Sequence, residues 1–264
     1  MQTAILNDSQ WNVPRHQLRA ELARDEADIM ASQRLRYQVF AEEMGAELSQ
    51  TSVTCGLDQD RYDRYCHHLL VRDTQTGAAV ASTRILLDQH ARLAGGFYSE
   101  NEFQLGDVAY LKGRVMEVGR TCVHPDYRNG AAIGVLWSGL AQFMSRHRVD
   151  HLIGCASIPM HDGGRQARAI MDRLREKHLV PEALRVAPRL PLPPGTATWP
   201  GQTVMPPLLK AYLRLGARIG GEPCWDPDFR VADVFILLNR EDLPARYQRH
   251  FLRAVPTATV RPVV

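Results

Sequence analysis

Apolar and polar positions alternate over Leu18–Ala23 (LRAELA), a period of two that predicts a strand. Asp25 then stands ahead of Ile29, Leu35, Val39, Phe40 and Met44, which share one apolar side of a helix ending at Gly45. Asp25 and Asp28 put carboxylates at the positive end of that helix. His68–Asp73 and Ala79–Leu87 read as strands joined by a turn at Thr76-Gly77, and Arg114–Val123 as another strand. Ile133, Leu136, Trp137, Leu140 and Met144 recur at helical spacing, predicting an amphipathic helix over 131–147. Asp150–Ser157 follows as a buried strand, Leu208–Leu215 as a short helix and Val231–Leu238 as a final strand. Eight of the sixteen prolines lie between Pro181 and Pro207, an extended loop that can be neither helix nor central strand. This order of elements predicts a mixed α/β domain.

Composition sets the bounds. A chain of 264 residues is one large domain, or one domain with an added lobe, at ~150 residues per domain. We expect a loose leader over 1–16, a single domain over 17–253 that contains the 181–207 loop, and a tail over 254–264. Charged residues at 23% and hydrophobic residues at 45% exclude a disordered chain. A net charge of +3 gives no reason to expect nucleic-acid binding. Five cysteines without a C-x-x-C spacing argue against a disulfide scaffold or a structural zinc site and suit a reducing cytoplasm. No apolar run approaches the ~20 residues of a membrane span, and the N-terminus does not read as a secretory signal. The expected location is cytoplasmic, with peripheral contact to the inner membrane face left open.

Three segments carry candidate chemistry. In the first, Arg34-Leu35-Arg36-Tyr37-x-Val39-Phe40 precedes Glu42-Glu43, which by itself is a helix with a charged side. The second, Asp58-Gln59-Asp60-Arg61-Tyr62-Asp63, is either a solvated loop or a cation-binding edge; it lacks the glycine and distal glutamate of a calcium loop. The third, Glu117-Val118-Gly119-Arg120, runs through Val123-His124-Pro125-x-Tyr127-Arg128 into the helix at 131. Positions 117 and 120 of a regular strand face opposite sides, and a bulge at Gly119 would turn both to one cleft. The N-terminus of the following helix suits a phosphate. Cys122 and Cys155 read as inert buried thiols, and His67, His68 and His124 as structural.

Val-His-Pro-x-Tyr-Arg before a small-residue helix start resembles the acyl-donor motif of the GNAT N-acyltransferases. L-R-x-x-V-F, D-x-D-x-Y-D, R-I-L from Arg84 and E-x-x-R from Glu117 follow the order seen in acyl-homoserine-lactone synthases. Over about 18–253 the sequence is most similar to the ornithine lipid N-acyltransferases. The segments Arg36–Gly45, Gly96–Ser99, Ile153–Ser157 and Leu208–Gly216 carry that resemblance. Two departures narrow it. Ala131 and Ile133 stand where coenzyme A-dependent relatives usually have Gly and Gly/Ala, which favours the single phosphate of carrier-protein phosphopantetheine over a pyrophosphate. No tryptophan lies between Phe40 and Asp63, where the homoserine-lactone synthases usually carry one.

The resemblance implies a GNAT-like fold, a central mixed sheet flanked by helices, with a Pro-rich loop and a C-terminal extension. It implies transfer of a (3R)-3-hydroxyacyl chain from acyl carrier protein to the α-amine of L-ornithine, with no permanently bound cofactor and no metal. Glu117 would be the base, or else pair with Arg120 as structural glue, while Gly119 and Arg120 complete the catalytic segment. Val118, Arg128, Ala131, Ala132 and Ile133 would hold the phosphopantetheine. Arg36, Arg84 and Arg120 are the candidates to take the acceptor's carboxylate, and Asp58, Asp60 and Asp63 its ammonium. The Ile133–Met144 face would be either plain core or one wall of an acyl tunnel. An O-acyltransferase would complete the lipid, and Trp199 with Leu190–Leu192, flanked by Arg185 and Arg189, would touch the membrane. The competing readings are another amino-acid acceptor, a signal synthase, and a non-catalytic acyl-binding or membrane-active module.

Overall fold

The computed structural model describes residues 17–195, 201 and 203–244. The expected leader over 1–16, Trp199 and the 254–264 tail lie outside the described residues.

The main sheet places β1 (Leu18–Leu22), β2 (His67–Asp73), β3 (Ala79–Leu87), β5 (Val115–Val123), β6 (His151–Pro159), β10 (Val231–Asn239) and β8 (Arg218–Ile219) in that order. β9 (Cys224–Asp226) also pairs with β10. β4 (Phe103–Gln104) and β7 (Ala187–Pro188) form a separate two-stranded ribbon, so the proline-rich stretch is not loop throughout. All partners in the main sheet are antiparallel except β5 and β6.

Side-chain alternation along the strands separates two cores. In β10, Ala232, Val234, Ile236 and Leu238 meet α4 (Ala131–His147), α5 (Arg165–Lys177) and α6 (Pro207–Arg214) on one face. Phe235 and Leu237 meet Phe103, Leu105 and Val108 on the other. α1 (Glu26–Tyr37) packs on β3 and β5 on this second face, its start capped by Asp25 accepting from the Asp28 N–H at 2.9 Å. The chain winds on through a wider π-turn at Gln38–Glu43 and leaves the helix at Gly45, whose φ of +72° suits a residue without a β-carbon. Short helices α2 (Gln50–Cys55) and α3 (Asp88–Ala94) flank the acidic segment and β3.

α5 has no counterpart in the sequence reading. Ala167, Ile170, Met171 and Leu174 have the spacing of a buried helical stripe, and all four are buried. Charged residues outnumber them in the same stretch, which hides the stripe from any judgement of overall hydropathy.

Candidate active site

β5 and β6 pair only from Val115↔His151 to Val118↔Gly154, although β5 runs on to Val123 and β6 to Pro159. Beyond Val118 the two strands part. One cause is a bulge: between Ser82↔Cys122 and Arg84↔Gly119, β5 spends one residue more than β3. The sequence expectation puts a bulge at Gly119, and the structure has it there, with the left-handed backbone one residue on. Arg120 is that left-handed residue, with φ of 51°. The contacts of the Arg120 side chain offset a backbone strain of about 1–3 kcal/mol. Its Nε lies 3.3 Å from Asp58 Oδ2, its Nη1 donates to Tyr98 Oη at 3.3 Å, and its guanidinium sits 5.0 Å and 4.8 Å from the Tyr98 and Phe229 ring centres. At the last paired rung the strands press together. A β-carbon on Gly154 would lie 2.3 Å from the Val118 carbonyl oxygen.

A cavity of about 100 Å³ opens where the strands part. Glu117, Val118, Gly119 and Arg120 of β5 line it with Arg84 of β3 and Tyr98. The bulge therefore brings Glu117 and Arg120 to one cleft. They are not paired with each other: the ion partners of Arg120 are Asp58 and Asp60. Glu117 is buried, and its two oxygens accept the Tyr98 and Ser99 N–H groups at 2.5 and 2.7 Å. Burial pushes its carboxyl above the ordinary range against the pull of those bonds. A carboxylate held by two peptide N–H groups keeps a fixed direction and spare lone pairs for a proton.

Behind the cavity lies an ionic layer. Arg36, fully buried, donates through Nε to Asp58 Oδ2 and through Nη1 to Asp63 Oδ1, both at 2.8 Å. Arg84 Nη1 reaches Asp60 Oδ1 at 2.6 Å and Asp63 Oδ1 at 3.0 Å. Burial would raise the Asp63 carboxyl, yet Arg36 and Arg84 hold it well below the carboxylate range. Of the residues that the sequence assigned to an acceptor, Arg36, Asp58, Asp60 and Asp63 stand in this layer and not on the cavity wall. The three aspartates face arginines rather than the cavity, Arg36 is sealed among them, and Arg84 and Arg120 reach the cavity wall.

Besides Glu117, the acidic groups that line the cavity are Glu102, Asp226 and Asp233, which no sequence motif had singled out. Each offers an oxygen within 4.8 Å of the others. Among the described residues, theirs is the His, Cys and carboxylate cluster with metal-ligand spacing. Asp233 was the available signal, a lone carboxylate inside the apolar run VADVFILL.

On the donor side, Arg128 is already occupied. It forks onto Glu43 at 2.5 and 2.7 Å and donates through Nε to the Val123 carbonyl at 3.0 Å. The Ala131 N–H is capped by Asn129 Oδ1 at 3.0 Å, and the Ala132 side chain is fully buried in the core. A phosphate there would have to displace Glu43 and Asn129. Ile133 points into an apolar groove of about 500 Å³ between α4 and α6, shared with Trp137, Met144 and Ala211.

Burial pushes the Cys122 thiol up to about 12 and the Cys155 thiol well above its ordinary value, so both stay protonated and neither serves as a nucleophile. His68 is buried between Ser32 Oγ and the Asp63 carbonyl, and His124 Nδ1 accepts the Asp126 N–H. In the proline-rich stretch Leu190 is exposed, while its carbonyl accepts the Trp225 N–H and Arg189 Nε donates to the Glu100 carbonyl.

Residues 35–138 match the acetyltransferase (GNAT) domain. The chain is 35% identical over 248 residues to an L-ornithine Nα-acyltransferase of Rhizobium meliloti (strain 1021), a match covering 89% of this chain and 84% of that one. It is 34% identical over 245 residues to one of Rhodobacter capsulatus, covering 89% of this chain and 94% of that one. In fold it resembles an N-acyl amino acid synthase from uncultured soil microbes (TM-score 0.51, 11% identity, 88% of this chain and 98% of that one). It also resembles a coenzyme A-dependent acyl-homoserine lactone synthase (TM-score 0.51, 14% identity, 89% of this chain and 86% of that one). These two similarities bear on the fold alone, and that fold is GNAT-like.

Proposed function

The chain belongs to the L-ornithine Nα-acyltransferases, and we propose that it moves a (3R)-3-hydroxyacyl group from acyl carrier protein to the α-amine of L-ornithine, giving lyso-ornithine lipid. The observation that carries this reading is the split between β5 and β6 with Glu117 at its edge. Past Val118 the β5 edge has no β6 partner in the register, so its peptide groups are open to an extended, amide-bearing arm such as phosphopantetheine. Such an arm would carry its thioester into the cavity.

The α-ammonium of an amino acid must lose a proton before its nitrogen can attack. Glu117, raised by burial and held in one direction, takes that proton directly or through a water. The nitrogen lone pair then forms the C–N bond at the thioester carbon, and the carbonyl oxygen becomes an oxyanion. Peptide N–H groups of the β5 bulge are the nearby donors for it. Collapse of the intermediate breaks the C–S bond, and the phosphopantetheine thiolate leaves, taking up the proton that the attacking nitrogen sheds as it becomes the amide. Arg84 and Arg120, cations on the cavity wall, draw the acceptor's carboxylate inwards. The apolar groove beside Ile133 takes the acyl chain. No resident cofactor or metal enters this scheme. The hydroxyl of the product chain remains for a second, O-acylating enzyme, and the amphiphilic product suits release at a membrane face. No helix of the described residues is long and apolar enough to cross a membrane.

Purified protein incubated with 3-hydroxyacyl carrier protein and a panel of amino acids tests this by mass spectrometry. The expected product is 3-hydroxyacyl-ornithine, with none from the acyl-coenzyme A thioester. Product from another amino acid moves the acceptor, and no product with any acceptor leaves a binding module. Glu117→Gln should lower kcat by about 10²–10⁴-fold. Full activity in that variant removes Glu117 from the proton path.

A further inference from the structure

The acidic side of the cavity has no role in the chemistry above. Glu102 follows the turn at Tyr98–Asn101, Asp226 ends β9 and Asp233 lies in β10, so three separate segments converge there. Asp226 Oδ1 accepts the Asp228 and Phe229 N–H groups at 2.9 and 3.1 Å, and Asp233 Oδ1 accepts the Ser157 hydroxyl at 2.6 Å. Glu102 differs. It is only 9% exposed and lines the cavity; its carboxyl lies beside the Cys155 thiol, and its Oε2 is buried with no hydrogen-bond partner among the described residues. Leaving such an oxygen unpaired is costly, and a lined cavity with a waiting acceptor calls for a donor from outside the chain.

Charge points the same way. Glu102, Glu117, Asp226 and Asp233 line the cavity, and the two arginines of its wall, Arg84 and Arg120, are shared with the Asp58, Asp60 and Asp63 layer. An acceptor whose carboxylate meets those arginines adds one more negative charge, so the group that suits the acidic side is a cation. Oxygens no more than 4.8 Å apart are close enough for one small cationic group to reach all three. A primary ammonium has three N–H donors, one for each carboxylate.

We infer that Glu102, Asp226 and Asp233 form the subsite for the side-chain ammonium of a diamino-acid acceptor, and so select it over amino acids without that charge. This inference rests on an amino acid being acylated at its α-amine in this cavity. The short methylene chain of ornithine then spans from the Glu117 side to the acidic side. Burial, and for Glu102 the neighbouring Asp233 as well, raises the Glu102 and Asp233 carboxyls when no cation is present. An entering ammonium reverses that, so binding should release protons.

The test compares ornithine with norvaline, the same skeleton without the terminal amine, in the wild type and in Glu102→Gln and Asp233→Asn, with melting curves as the check on folding. In the wild type, ornithine should be the far better acceptor. Each variant should reduce the ratio of kcat/KM for ornithine to that for norvaline by about tenfold or more, the loss expected when a charge-assisted hydrogen bond is removed. Calorimetry of ornithine binding to the wild type in buffers of different ionisation heat should show proton release. A ratio that stays at its wild-type value in folded variants overturns the subsite while leaving the acyltransferase reading intact. Activity lost to a chelator and restored by magnesium or calcium also overturns it, in favour of a metal site. A wild type that acylates no amino acid removes the acyltransferase reading and the subsite together.

Discussion

Two groups of carboxylates lie on either side of one cavity and have opposite surroundings. Asp58, Asp60 and Asp63 are matched by Arg36, Arg84 and Arg120 in a buried ionic layer. Among the described residues, Glu102, Asp226 and Asp233 converge without an ion pair to a cation of their own. Arginines hold Asp63 well below the carboxylate range, while burial holds Glu102 well above it. The difference teaches that carboxylate density in a sequence says little about binding. What matters is whether the fold has already supplied the counter-charge. The paired layer fixes the β5 bulge and the arginines, and the unpaired group is left for a ligand.

That contrast can be broken most severely at Asp63. Asp63→Asn leaves Arg36 and Arg84 short of a buried counter-charge and should cost about 3–5 kcal/mol, lowering Tm by roughly 6–20 °C at pH 7. Because the folded carboxyl lies below its unfolded value, the wild-type advantage is present above about pH 4 and lost as pH falls further. Melting curves of both proteins from pH 3 to pH 7 check the magnitude and the sign.

The unpaired group should respond the other way. Glu102 has a folded value above its unfolded one, so the folded state holds the proton longer and stability falls as pH rises above about pH 4 towards the folded value. Glu102→Gln removes that cost. It should melt higher than the wild type at pH 8, by on the order of 1 kcal/mol, with a smaller gain at pH 5. A variant that is destabilised at pH 8 would place a hidden counter-charge beside Glu102.

The smallest effect belongs to the exposed pair outside the cavity. Glu43→Gln breaks the fork to Arg128, but both partners are more than a third exposed, so the loss should stay below about 1 kcal/mol and shrink further in high salt. Denaturant titration at low and high ionic strength measures it. A larger loss would make Arg128–Glu43 part of the ionic framework rather than a surface pair.

Much of this molecule is legible in its sequence. The strand of Leu18–Leu22, the hairpin of β2 and β3, the helix Ala131–His147 and the strand Val231–Asn239 follow from periodicity, because one-sided burial forces a period of two or 3.6 on the side chains. Glu117 and Arg120 were visible as a motif. The helix Arg165–Lys177 was legible in its spacing and obscured by its charges. Short-range pattern thus determined most of the long strands and helices.

Tertiary structure alone decided who pairs with whom. Arg36 lies 22 residues from Asp58 and Arg84 lies 24 from Asp60, and no local spacing predicts those contacts. Glu102, Asp226 and Asp233 are joined only because β9 folds back on β10 beside the turn at Tyr98–Asn101. Periodicity is imposed by each residue's own backbone and its immediate burial. Counter-charges come from whichever distant segment the sheet order brings within a few ångströms, and that order sorted the carboxylates into scaffold and site.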